Sequence, residues 1–263
     1  MSDNDLTGRV ALVTGASGHL GGYVCQALAG RGATVVGTRH QSPGPHDPAG
    51  PDGGAGDEPA APPRTGTGGP AHLLEVDLTD PVSATTLLSR VRQIAGPPDI
   101  VVCAHGGTRR QGVLEPGGTD QRLWTLNTQA CFALATAAAK AMLRRRYGRI
   151  VLLGSRAGLV GLPGQAAYAA TKAALSGWAA SAAWELGPFG ITVNVVAPGA
   201  IEPDPRADAG VYTKEEDDAV AARTAVRRLG TAAEVAAVVA FLAGPAAGFV
   251  TGQTIAVDGG ARW

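Results

Sequence analysis

The feature that most constrains the fold is an apolar run, Val10-Ala11-Leu12-Val13, that ends in a glycine-rich stretch, Thr14-Gly15-Ala16-Ser17-Gly18-His19-Leu20-Gly21. A helical pattern over residues 20–31 follows, then a second apolar run, Ala33-Thr34-Val35-Val36-Gly37. Strand, turn, helix, strand is the opening unit of a parallel sheet, because parallel neighbours need a crossover long enough to hold a helix. Glycine at the first turn permits a tight bend and a close approach of backbone to phosphate, and the helix start adds unpaired N–H groups. Gly15, Ser17, Gly18, His19, Leu20 and Gly21 are therefore candidate dinucleotide-cradling positions.

The rhythm continues along the chain. Strands are predicted at residues 71–77, 99–103, 149–153, 191–196 and 254–258, and helices at 82–94, 120–143, 165–186 and 232–242. This alternation predicts an α/β fold: a Rossmann-like, doubly wound parallel sheet of about seven strands with helices on both faces. Residues 41–70 break the pattern. More than half of them are Pro or Gly and none is a large aliphatic, so they read as an irregular insertion inside one domain spanning 1–263. The Ala-rich stretches 130–141 and 166–183 allow close helix approach. They suggest a four-helix contact with another subunit, in a dimer or tetramer; packing within one subunit is the alternative.

Twenty-two basic and 22 acidic residues leave no net charge, which argues against a nucleic-acid binder working through bulk charge. Cys25, Cys103 and Cys131 are widely spaced and form no CxxC pair, so neither a metal site nor a disulfide framework is suggested. They read as small core residues in a reducing compartment. The polar start Met1-Ser2-Asp3-Asn4-Asp5 and the absence of a long apolar run imply a soluble, cytoplasmic chain with no membrane partner.

Tyr168 and Lys172 stand four residues apart within a predicted helix and share its face. An ammonium there favours the phenolate and lowers a pKa that is about 10 in an unperturbed tyrosine. A hydroxyl from Ser155, on another element, would hold a carbonyl oxygen against that phenol. Such a group protonates a ketone oxygen while hydride reaches the carbon.

The whole set resembles the short-chain dehydrogenase/reductase family, most closely the bacterial 3-oxoacyl-[acyl-carrier-protein] reductases. The family pattern is TGxxxGxG, then Asn-Asn-Ala-Gly, then Asn, Ser, Tyr-x-x-x-Lys and Pro-Gly. Gly15 and Gly21 match the outer glycines, and Asn127, Ser155, Tyr168 and Lys172 match the catalytic set in order and spacing. Pro198-Gly199 matches the element that approaches the nicotinamide, with Ile201 close behind, and Asp77-Leu78 falls beside adenine. Thr251-Gly252-Gln253 and Val257-Asp258-Gly259-Gly260 also match. The resemblance implies that Tyr168 is the general acid, that Lys172 tunes it and holds the nicotinamide ribose, and that Ser155 orients the carbonyl. It implies that Asn127 holds a water linking the lysine to solvent.

Three departures stand out. His19 occupies the middle glycine position, with Gly18 one place early: either Gly18 absorbs the turn, or the imidazole meets the pyrophosphate. The Asn-Asn-Ala-Gly segment reads Cys103-Ala104-His105-Gly106, which loses two bracing amides while Ala104 and Gly106 keep the approach to cofactor. Of two basic positions that dock the acidic carrier protein in the family, one is Lys140 and the other is Trp184; Arg144, Arg145 and Arg146 form a nearby basic cluster.

The end of the second strand, Gly37-Thr38-Arg39-His40, has no acid to hold a ribose 2′-hydroxyl. Arg39 suits a 2′-phosphate instead, so the predicted cofactor is NADPH. Residues 200–223, with Pro203, Asp204 and Pro205 followed by Glu215, Glu216, Asp217 and Asp218, read as a substrate lid and a short helix. The expected substrate is a β-ketoacyl thioester on acyl carrier protein. The alternatives are a polyketide or other specialised-metabolite ketone, and a non-catalytic partner subunit of a hetero-oligomer.

Overall fold

A computed structural model describes residues 5–40, 69–115, 121–204 and 213–262. Seven strands form one sheet: β1 (Val10–Thr14), β2 (Thr34–His40), β3 (His72–Val76), β4 (Ile100–Cys103), β5 (Gly148–Leu153), β6 (Ile191–Pro198) and β7 (Thr254–Val257). Their order is β3-β2-β1-β4-β5-β6-β7, and every pairing is parallel. β1, β4, β5 and β6 are buried along their whole length, as strands covered on both faces must be.

The helices supply that cover. α1 (His19–Ala29) and α8 (Ala232–Ala243) lie on one face; α2 (Ser83–Ala95), α4 (Ala130–Leu143) and α6 (Ala166–Leu186) lie on the other. Alternation along β1 divides its side chains between the two cores. Val10 and Leu12 pack with Leu87, Leu134 and Leu175, while Ala11 and Val13 pack with Val24, Leu28 and Val239. The start of α8 is held by a capping box: Thr231 Oγ1 accepts from Glu234 N at 3.2 Å, and Thr231 N donates to Glu234 Oε2 at 2.8 Å.

The chain winds outward through β2 and β3, then returns to the other side of β1 with β4. Connections leave the carboxyl ends of β1 and β4 in opposite directions, which opens a crevice there. The glycine loop and the Cys103–Gly106 stretch both emerge into it.

The predicted helix over 120–143 is not one regular helix. Residue 120 lies outside the described residues; α3 (Gln121–Trp124) passes through a π turn (Thr125–Gln129) into α4. The wider turn re-aims Asn127, whose side chain is fully buried and hydrogen-bonded to the loop after β4. Of the expected insertion, residues 41–68 lie outside the described residues, as do residues 205–212 of the expected lid; α7 (Lys214–Ala221) is the short helix, and a further short helix, α5 (Ala157–Val160), follows β5. Among the described residues no helix is long and apolar enough to cross a membrane.

Candidate active site

The glycine loop is built so tightly that side chains have no room. Gly15 has φ +67°, and a Cβ there would sit 2.9 Å from His105 Cα. A Cβ on Gly21 would sit 2.0 Å from the Gly15 carbonyl oxygen. Gly18 caps α1 with extended backbone and no side-chain acceptor, so the first N–H groups of the helix are left to an external acceptor. A crowded glycine turn ending in an uncapped helix start fits a dinucleotide pyrophosphate. His19 begins α1 and turns toward Asp204, with Nδ1 3.7 Å from Oδ2, and meets the Tyr23 ring edge-on at 5.5 Å between centroids.

The loop after β4 is braced by contacts among Thr14, His105 and Cys131 that the sequence reading did not foresee. Thr14 Oγ1 and His105 Nδ1 share a hydrogen bond of 2.6 Å, and Ala104 N donates to the same hydroxyl at 3.2 Å. His105 Nε2 lies 3.5 Å from Cys131 Sγ on α4. The imidazole thus ties the end of β1 to the loop and to the helix. Cys131 is also hydrogen-bonded to Cys103, and that bond holds the Cys131 thiol below its ordinary range and the Cys103 thiol above it. The visible signal was the paired loss of two amides at 103–104 with a histidine one place later.

Asn127 closes the next turn of the same loop. Its Oδ1 accepts from Gly107 N and its Nδ2 donates to Gly107 O, both at 2.9 Å, and Nδ2 also donates to Thr171 Oγ1 at 3.1 Å. Gly106 leaves a gap between two polar groups: a Cβ there would meet Asn127 Oδ1 at 2.9 Å and Lys172 Nζ at 3.1 Å. Lys172 is buried on α6 and donates to the Leu153 carbonyl at 2.9 Å. Burial pushes its pKa below the usual lysine value, opposed by the nearby Cys131 and Cys103.

Ser155 follows β5, where Gly154 N donates to Val196 O at 2.7 Å and Arg156 N to Pro198 O at 2.8 Å. These bonds stitch Ser155 against the end of β6. Ser155 and Tyr168 then line one cleft of about 540 Å³, bordered by Pro198, Gly199 and Ile201. That volume suits a single small-molecule substrate. The cleft is also lined by Arg223, the last residue of the expected lid stretch, and by Arg110, Arg156 and Arg262, which the sequence reading missed.

Other expected positions have local partners. Arg39 is ion-paired with Glu75 across β2 and β3, whose register sets the two side by side. Asp77 accepts from Thr79 N at 2.8 Å and Thr79 Oγ1 at 2.6 Å, and the hydroxyl bond chiefly lowers its pKa. Leu78 packs on one core; Leu20, Ala104 and Ile201 pack on the other. Ser17 is half-buried in the loop. Neither Lys140 nor Trp184 lines the cleft: Lys140 borders a groove between α2 and α4, and Trp184 is 84% exposed. Two of the Arg144–146 cluster serve the fold, Arg145 pairing with Asp99 at 3.0 Å and Arg146 donating to Pro188 O at 2.7 Å.

A family model described as "Enoyl-(Acyl carrier protein) reductase" matches residues 15–262. The 3-oxoacyl-[acyl-carrier-protein] reductase of Escherichia coli is 38% identical over 254 residues, covering 96% of this chain and 97% of that protein. The enzyme of that description from Pseudomonas aeruginosa is 36% identical over 257 residues, covering 97% of this chain and 98% of its own. The solved structure of a short-chain dehydrogenase/reductase from Serratia marcescens superposes with a TM-score of 0.79 at 33% identity, covering 97% of this chain and 98% of that one. Similarity therefore runs through the sheet, the glycine loop and the cleft together, and the chain belongs to the short-chain dehydrogenase/reductase family, as an oxidoreductase acting on a CH–OH/C=O group and akin to the 3-oxoacyl-[acyl-carrier-protein] reductases.

Proposed function

We propose that the chain is an NADPH-dependent ketoreductase that reduces a β-ketoacyl thioester, delivered on acyl carrier protein, to the β-hydroxyacyl form. The observation that carries this reading is the shared cleft of Ser155 and Tyr168, with Lys172 buried one helical turn along from the tyrosine. Gly15, Ser17, Gly18, His19, Leu20 and Gly21 would hold the pyrophosphate, Asp77 and Leu78 the adenine, and Arg39 the 2′-phosphate. Ala104, Gly106, Pro198, Gly199, Ile201, Tyr168 and Lys172 would hold the nicotinamide half. Bound NADPH supplies the hydride.

In this mechanism Ser155 donates a hydrogen bond to the substrate carbonyl and fixes it against Tyr168. The Tyr168 hydroxyl gives its proton to that oxygen as negative charge develops. Lys172 favours the phenolate left behind, and its reach is set by the bond to Leu153 O. Asn127 holds the loop at Gly107 and borders the gap at Gly106, where a water would relay a proton to Lys172.

A second reading, a polyketide or other specialised-metabolite ketone, is favoured by Trp184, which stands exposed at the second of the two positions that are basic in the carrier-protein reductases. We read the chain as one domain, cytoplasmic, and assembled as a homo-oligomer through the Ala-rich helices α4 and α6. The test is NADPH consumption by the purified chain with β-ketoacyl thioesters on carrier protein or a small thiol, beside free cyclic ketones. NADPH binding without turnover of any carbonyl would instead indicate the non-catalytic partner subunit.

A further inference from the structure

The strongest unexplained feature is the charge of the cleft. The whole chain is neutral, with 22 basic and 22 acidic residues, yet the cleft is lined by Arg110, Arg156, Arg223 and Arg262 against Asp217 alone among the described residues. Arg156 is neutralised in place: its Nε donates to Asp258 Oδ2 at 2.8 Å and its Nη2 to the Ala261 carbonyl at 2.5 Å. Arg223 and Arg262 have no such acid among the described residues.

These two arginines are held side by side by backbone. Arg262 N donates to Arg223 O at 2.9 Å, and Ala225 N donates to Gly259 O at 2.9 Å. Gly259 (φ +63°) and Gly260 (φ +66°) turn the tail over the cleft, and a Cβ on Gly259 would strike Val226 Cγ2 at 2.6 Å. Only a left-handed, side-chain-free turn closes here. Both side chains are exposed at the mouth of the cleft, beside Leu162, Ile201 and Val220. Guanidinium groups match carboxylate and phosphate oxygens in a planar fork.

We propose that Arg223 and Arg262 form an anion clamp, and that the substrate carries a carboxylate or phosphate group within reach of its ketone. This rests on the ketoreductase reading and narrows its substrate. The anion is either the substrate's own carboxylate or the phosphate of a pantetheine arm.

Two matched pairs of compounds separate the sources: 4-oxopentanoate with its methyl ester, and acetoacetyl-phosphopantetheine with acetoacetyl-pantetheine. Binding to the NADPH-loaded protein is followed by calorimetry at low salt, and turnover by NADPH absorbance. Loss of the anionic group should weaken binding about tenfold in one pair. The variants Arg223→Gln and Arg262→Gln should erase that difference while leaving NADPH affinity in place. Equal binding within both pairs, or a difference unchanged in the variants, overturns the clamp. Selective binding without reduction of any ketone upholds the clamp and overturns the ketoreductase reading, so the two fail separately.

Discussion

The Thr14 hydroxyl and the His105 imidazole meet 2.6 Å apart, joining the end of β1 to the loop after β4 at the point where the sheet reverses its order. The other ring nitrogen reaches Cys131 on α4 at 3.5 Å. One buried side chain thus sets the spacing between the glycine loop and the Gly106–Gly107 turn. Replacing His105 with alanine leaves a cavity and removes the shortest hydrogen bond of the Thr14 hydroxyl, which keeps only its longer bonds to Ala104 N and the Val102 carbonyl. Stability should fall by about 2 kcal/mol, read as a lower urea midpoint. NADPH should also bind less tightly, since the loop that borders it loses its brace.

Gly21→Ala should be worse for the fold than any other change in the loop. The added carbon would lie 2.0 Å from a backbone oxygen, which cannot rotate away. A loss of about 3 kcal/mol or more is expected, with cofactor binding lost in whatever folded protein remains. Gly22→Ala is the matched control, because its nearest neighbour would be an ordinary 3.6 Å away.

Tyr168→Phe removes the proton donor and keeps the ring. Turnover should drop by about a thousandfold while NADPH titration by fluorescence is nearly unchanged. Parallel losses of turnover and binding would point to structural damage instead.

Arg39 is shared between Glu75 and the proposed 2′-phosphate. Arg39→Ala should reduce the preference for NADPH over NADH about tenfold in kcat/KM. Glu75→Gln should raise it by freeing the guanidinium. A tenfold preference of the unaltered chain for NADH would sink the cofactor assignment.

Glu234 ties Arg228 to the capping box of α8, and the Arg228 bond, followed by that of Thr231 N–H, pulls its pKa to about 2. A carboxylate depressed in the folded state contributes stability that is complete above its unfolded pKa near 4.5 and is lost as pH falls toward 2. Glu234→Gln should therefore flatten the acid side of the stability–pH curve measured by denaturant unfolding. Thr231→Ala, which removes the cap itself, should cost about 1 kcal/mol at neutral pH.

Much of this protein is written in short-range pattern. The runs around Val10, Val101, Ile150 and Val193 carry the strands because a sheet covered on both faces leaves apolar residues at every position. Gly15 and Gly21 announce their loop because no side chain fits there. Tyr168 and Lys172 announce a shared face because a helix repeats nearly every four residues. What the linear pattern could not express is the partnership of residues far apart in the chain. Thr14 finds His105 and Cys131 only because β1 and β4 are neighbours. Asn127 needs a π turn to meet Gly107, and Arg223 meets Arg262 only where the tail folds back. Local sterics decide the elements, whereas buried hydrogen bonds and charge juxtaposition depend on which elements pack together, and that packing decided the brace, the gap at Gly106 and the basic mouth of the cleft.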